Sequence, residues 1–134
     1  MFGTQRSQSS IYSQVQVHTG VNGADPHRLV GMLFEGALDA IARAQGAIQR
    51  GDIEAKARAI GQAVSIVEEG LRGALDMSAG GDVAASLDEL YACVLYRLTL
   101  ANVKNDVEPL RECASLLAPV HEAWNSIRPQ VQPA

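Results

Sequence analysis

Residues 25–52 read DPHRLVGMLFEGALDAIARAQGAIQRGD, and this stretch sets the fold class. Asp25 is suited to accept a bond from one of the orphan N–H groups that open a helix, and Pro26 brings the backbone torsion of a first helical position. Gly51 and Asp52 stop that segment and cap the next. At about 100° per residue, Leu29, Val30, Leu33, Phe34, Ala37, Leu38, Ile41 and Ile48 spread over an arc of about 180°, against the roughly 100° stripe that suffices for a surface helix. A helix over about 26–50 with so wide an apolar arc has to meet more than one neighbour.

The chain that follows supplies those neighbours. Ile53, Ala57, Ile60, Val64, Val67, Leu71 and Leu75 step by three or four, which predicts a helix over about 53–77 ending at Ala79-Gly80-Gly81. Asp82 then starts a helix over about 82–103, with a seam at Val83, Leu87, Leu90, Val94, Leu98 and Ala101. After the break at Asn105-Asp106, Leu110, Cys113, Leu117, Val120, Trp124 and Ile127 predict a last helix over about 107–128. Pro119 lacks the N–H that would bond to Ser115, so a kink is expected between about 115 and 119. Short connections make successive helices antiparallel neighbours. The expected fold is therefore all-α: an antiparallel up-and-down four-helix bundle with a short N-terminal helix or arm packed on it. It forms one domain over 1–134, flexible at 1–10 and 129–134.

Composition narrows the function. Hydrophobic residues make up 47% and charged residues 19% of the 134-residue chain, an ordinary globular balance. The formal charge is -4 and the basic residues stand singly, which disfavours nucleic acid and anionic membranes as partners. No apolar run approaches the roughly 20 residues that span a bilayer, and MFGTQRSQSS lacks the apolar stretch of a signal peptide, so a cytoplasmic protein is expected. Cys93 and Cys113 have no CxxC spacing and read as reduced, packed thiols.

The chemistry of known helical enzymes is missing. No glutamate stands three residues before His18, His27 or His121, so the Glu-x-x-His pairs of a di-iron bundle are not formed. His121 reads as a partly buried or surface side chain, and a metal shared by His18 and His27 would require a coincidence of folding. The glycines at 20, 23, 80 and 81 belong to turns, not to a phosphate-binding loop. Glu68, Glu69, Asp88 and Glu89 fall on polar arcs. Neither an enzyme nor a cofactor site is expected.

Two surfaces remain unabsorbed by a bundle. The 82–103 segment carries Cys93, Tyr96, Leu100 and Val103 at steps of three, four and three, on the side opposite its seam. Such a stripe suits an amphipathic helix of a partner, a dimer mate, or the N-terminal arm. The arm itself carries Ile11 and Tyr12 in an otherwise polar stretch, and these are expected to rest on the bundle when no partner is present. The wide arc of the 26–50 helix offers Val30, Phe34 and Ile41 as further partner contacts. Ala59, Ala63, Ile66 and Gly70 lie away from the 53–77 seam, and core packing is the expected use of these residues.

Taken in order, Tyr12, the run Asp25-Pro26-His27-Arg28-Leu29-Val30-Gly31-Met32-Leu33-Phe34-Glu35-Gly36-Ala37, Gly80-Gly81, Leu90-Tyr91, Arg97-Leu98, Ala101-Asn102, Asn105-Asp106 and Trp124 resemble the FliS family of flagellar export chaperones. The resemblance covers about residues 11–128. Two positions depart from the family pattern: Cys93 stands where an aromatic residue is common, and Tyr96 where a basic residue precedes Arg97. The resemblance implies a cytosolic protein that binds the disordered C-terminal segment of flagellin, prevents premature polymerisation and delivers it to a component of the flagellar export gate. It also implies that Ile11 and Tyr12 belong to a segment used in client binding and handover. On that reading the protein is a monomer or weak dimer, with a flagellar regulator or co-chaperone as a further partner. The alternative is a structural or regulatory bundle that acts by homodimerisation or by binding another flagellar regulator.

Overall fold

A computed structural model describes residues 25–127. Among them the chain forms helices α1 (Pro26–Arg50), α2 (Ile53–Ser65) with a π-helical continuation over Ile66–Leu71, α3 (Met77–Lys104) and α4 (Glu108–Ser126), and no strand. The expected flexible ends, and the N-terminal arm with Ile11 and Tyr12, lie outside the described residues.

α1 begins and ends where its caps dictate. The Asp25 carboxylate accepts the Arg28 N–H at 2.8 Å, and Gly51 closes the helix in the left-handed region at φ +73°. Asp52 then accepts the Ala55 N–H at 3.1 Å and starts α2. The second helix ends earlier than the expected residue 77. Its last turns widen into the π segment, marked by the Arg72 N–H reaching back to Val67 O at 2.8 Å. There α1 comes in against Gly70, where a Cβ would stand 3.1 Å from Leu33 Cδ2.

Asp76, not Asp82, opens α3. Its carboxylate accepts from the Ala79 N–H and the Ser78 hydroxyl, both at 3.0 Å, and these bonds hold it below the usual carboxylate range. The stop expected at Gly80-Gly81 survives as a break inside α3, with Gly81 at φ +57° and ψ −132°. Asn105 ends α3 in the left-handed region, and α4 runs from Glu108 through Pro119 to Ser126, slightly shorter than the expected 107–128.

Long-range bonds show how the helices are paired. Start meets end at His27 and Trp124 across α1 and α4, and at Lys56 and Asn102 across α2 and α3. Val94 meets Cys113, and Arg97 meets Glu112, across α3 and α4. Each helix thus runs antiparallel to the next, and α4 returns to α1, so the four close into a ring. Leu33, Phe34, Ile41, Val67, Leu71, Val94, Leu98, Leu110 and Leu117 fill the centre.

The seams differ from expectation in phase. On α3 the buried side is Ala84, Tyr91, Val94, Leu98 and Ala101, with Leu87 and Leu90 half-buried and Val83 69% exposed beside the Gly81 break. On α2, Ile53 and Ala57 face outward while Ala59, Ala63, Ile66 and Gly70 are buried, as the small-residue reading required. Lys56 also turns inward. It is only 5% exposed, and its ammonium donates to Asn102 O at 2.9 Å and Asn105 Oδ1 at 2.7 Å. A cation there meets the carbonyl-rich, negative end of α3.

The ring is closed by a clasp. Trp124 Nε1–H donates to His27 O at 2.8 Å, His27 Nε2–H donates to Trp124 O at 2.9 Å, and the two rings stack 4.6 Å apart. Trp124→Ala removes two of these three contacts and part of an apolar surface. We expect it to lower unfolding free energy by about 2–3 kcal/mol in urea titrations, less than a fully buried aromatic would lose. A change below about 0.5 kcal/mol would show the clasp to be ornamental.

Candidate partner-binding face

α3 carries apolar side chains on a second side as well as on its buried one. Its inner side is covered by α2 and α4. On its other side, Tyr96 is 63% and Val103 78% exposed, and Cys93 and Leu100 are half-buried. Leu100 belongs neither to the buried core nor to the half-buried residues packed on it. Cys93, Tyr96, Leu100 and Val103 therefore share one face, as their spacing predicts.

Arg97 borders this face and ties it to α4. Its Nε donates to Glu112 Oε1 at 2.9 Å, and its Nη1 donates to Cys93 Sγ at 2.7 Å. One guanidinium thus fixes the rotamer of Cys93 and bridges the α3–α4 seam. Cys113, across that seam, donates its S–H to Val94 O at 3.5 Å, and burial pushes its thiol up to about 12. It is an inert core residue. Tyr91, likewise pushed up to about 12 by burial, lies 6.4 Å from Phe34, ring to ring.

The α1 contribution to the partner face needs correction. Phe34 is 1% and Ile41 0% exposed, so both are core, and Val30 is half-buried against it. The cause is the wide arc itself: α1 packs on α2 and on α4, and the two neighbours together use up the arc. His121 stacks on Phe34 at 5.6 Å and accepts from Asn125 Nδ2 at 3.1 Å, which places it half-buried at the α1–α4 edge. No group of three metal-ligating side chains converges among the described residues. No helix among them is long and apolar enough to cross a membrane.

Neither Arg97 nor Lys56 is among the site residues expected from the sequence. The signal for Lys56 was available, since Lys56, Ile60, Ala63 and Val67 step by four, three and four, so a lysine occupies an apolar seam position. For Arg97 no periodicity gives the reach of a side chain to the next helix.

The family model for flagellar protein FliS matches residues 8–131, which takes in every helix of the ring. This chain belongs to the FliS family. It is 41% identical over 119 residues to the flagellar secretion chaperone FliS of Salmonella typhimurium, covering 89% of this chain and 88% of that one. Against the flagellar secretion chaperone FliSB of Pseudomonas aeruginosa the identity is 42% over 116 residues, 87% of this chain and 91% of that one. FliS of Bacillus subtilis is 34% identical, over 78% of this chain and 76% of its own. FliS is a family of chaperones in flagellar secretion, not of enzymes.

Proposed function

We propose that this protein is a cytoplasmic export chaperone for flagellin, and that it holds the disordered C-terminal segment of its client along the outer face of α3. The observation that carries the reading is the apolar outer side of that helix, which no described helix covers, with Tyr96 and Val103 exposed and Leu100 outside the core. A disordered segment loses conformational entropy on binding, so it needs a long apolar surface more than a few polar contacts. A helix formed by the client would set side chains at i, i+3 or i+4, and i+7 against Cys93, Tyr96, Leu100 and Val103. Covered in this way, the flagellin segment is withheld from polymerisation until a component of the export gate receives it. Ile11 and Tyr12 then contribute to client capture and handover.

Calorimetric titration of the full chain with the C-terminal segment of its own flagellin tests this. We expect one client per chain and a negative heat-capacity change from coupled folding and burial. Absence of binding would remove the chaperone reading. A dimer that the flagellin segment does not dissociate would assign the stripe to a second copy of the chain.

A further inference from the structure

Arg43, Arg50 and Arg58 line a groove of about 360 Å³ between α1 and α2 whose walls are otherwise small residues, among them Ala42, Gly46 and Ala59. Arg43 is already engaged, donating from Nε to Asp39 Oδ2 and from Nη2 to Gln62 Oε1, both at 3.0 Å. These two bonds pin it as a fixed wall that bridges the helices. Arg50 and Arg58 have no carboxylate within ion-pairing distance among the described residues; even Glu54, one turn before Arg58 on α2, is not paired with it. Arg50 lies back over Gly46, where a Cβ would stand 3.3 Å from Arg50 Nη1. The missing side chain at 46 is what lets that guanidinium lie along the groove.

We propose that this groove docks an acidic segment of a partner protein, one that presents carboxylates to both Arg50 and Arg58. A guanidinium offers a planar fork of donors that matches a carboxylate, and two unpaired forks on facing helices ask for two acids. The chain as a whole is acidic, with a formal charge of -4. Extended polyanions such as nucleic acid or an anionic bilayer meet repulsion from the rest of the surface, whereas a short acidic segment interacts locally, within a Debye length. The groove lies between α1 and α2, and α3 packs on α2 and α4 but not appreciably on α1, so the groove and the outer face of α3 are separate surfaces. The docking stands independently of what the α3 face binds.

The test uses the full chain and two synthetic helical peptides, one with glutamates at i and i+4 and one with glutamines there, followed by heteronuclear NMR at about 0.1 M salt. The glutamate peptide is expected to shift the Arg50 and Arg58 Nε–H signals and the Gly46 amide saturably, and the glutamine peptide to leave them in place. Arg50→Gln or Arg58→Gln is expected to weaken binding about threefold to fivefold and the pair about tenfold, in line with exposed ion pairs. Both side chains are exposed, so the fold tolerates the changes, and Arg111→Gln on α4 controls for loss of one positive charge elsewhere. Shifts spread evenly over all arginines, or a double variant that binds within about twofold of the parent, would overturn the proposal. So would competition by inorganic phosphate at the concentration of the peptide, which would make the groove a small-anion pocket.

Discussion

Leu98→Ala and Leu100→Asp are expected to fail in opposite ways, although only Thr99 separates them on α3. Leu98 is fully buried, in contact with the core that the four helices share. Its truncation forfeits the transfer energy of a buried leucine and leaves a cavity, at about 2–5 kcal/mol of the roughly 5–15 that hold a domain together. Client affinity then falls only through the unfolded fraction. Leu100 points to the other side, half-buried and outside the core. An aspartate there keeps its carboxylate in water in the free protein, so the thermal midpoint moves by a few degrees at most. Under a bound client helix the same carboxylate is buried without a partner, and flagellin affinity is expected to fall by about tenfold or more. Thermal melts and calorimetry on both variants separate the cases. If Leu100→Asp unfolds the chain as thoroughly as Leu98→Asp, the outer stripe is core. With Phe34 and Ile41 also buried, the proposed client site would then lose its basis on both helices.

The second large effect concerns Lys56. Its ammonium is almost wholly out of water, held by one carbonyl and one amide oxygen at the end of α3, with no carboxylate paired to it among the described residues. Lys56→Met removes the charge and keeps most of the stem; Asn102 O and Asn105 Oδ1, on exposed residues, then turn to water, and the loss is about 1 kcal/mol. Lys56→Glu goes further: it sets an anion against oxygen acceptors and the negative end of a helix dipole. We expect a loss of about 3–5 kcal/mol, or exposure of the α2–α3 end of the bundle, read by urea titration and by hydrogen exchange in the last turn of α3. A loss under about 1 kcal/mol for Lys56→Glu would mean that the side chain reaches solvent easily and that its bonds are incidental.

Cap chemistry and periodicity carried most of the architecture. Asp25, Pro26, Gly51 and Asp52 each do locally what their side chains or their torsional freedom permit, so α1 is found at its expected bounds. Where two signals competed, the sequence was ambiguous. Asp76 and Asp82 are both able to cap α3, and the choice of Asp76 rests on Ser78 and Ala79 converging on one carboxylate. The π segment is not visible as a pattern, because widening one turn shifts the buried side by a residue and only the finished packing reveals the shift. The candidate site divides along the same line. Cys93, Tyr96, Leu100 and Val103 share a face because they share a helix, which spacing alone decides. Phe34 and Ile41 are drawn inward by α2 and α4 together, and an apolar arc does not say how many neighbours will share it.

The His27–Trp124 clasp joins residues 97 apart in the chain. Closing a loop of that length is entropically dearer than forming the α1–α2 hairpin, so the α1–α4 seam is the natural last step of assembly. On the ribosome the consequence is sharper. Residues are added from the N-terminus, so α1 exists long before the helix that covers the His121 side of Phe34 has been made. Until α4 emerges, the nascent chain carries an open apolar flank of its own, so a protein proposed to shield the apolar segment of a client passes through a stage in which its own is unshielded.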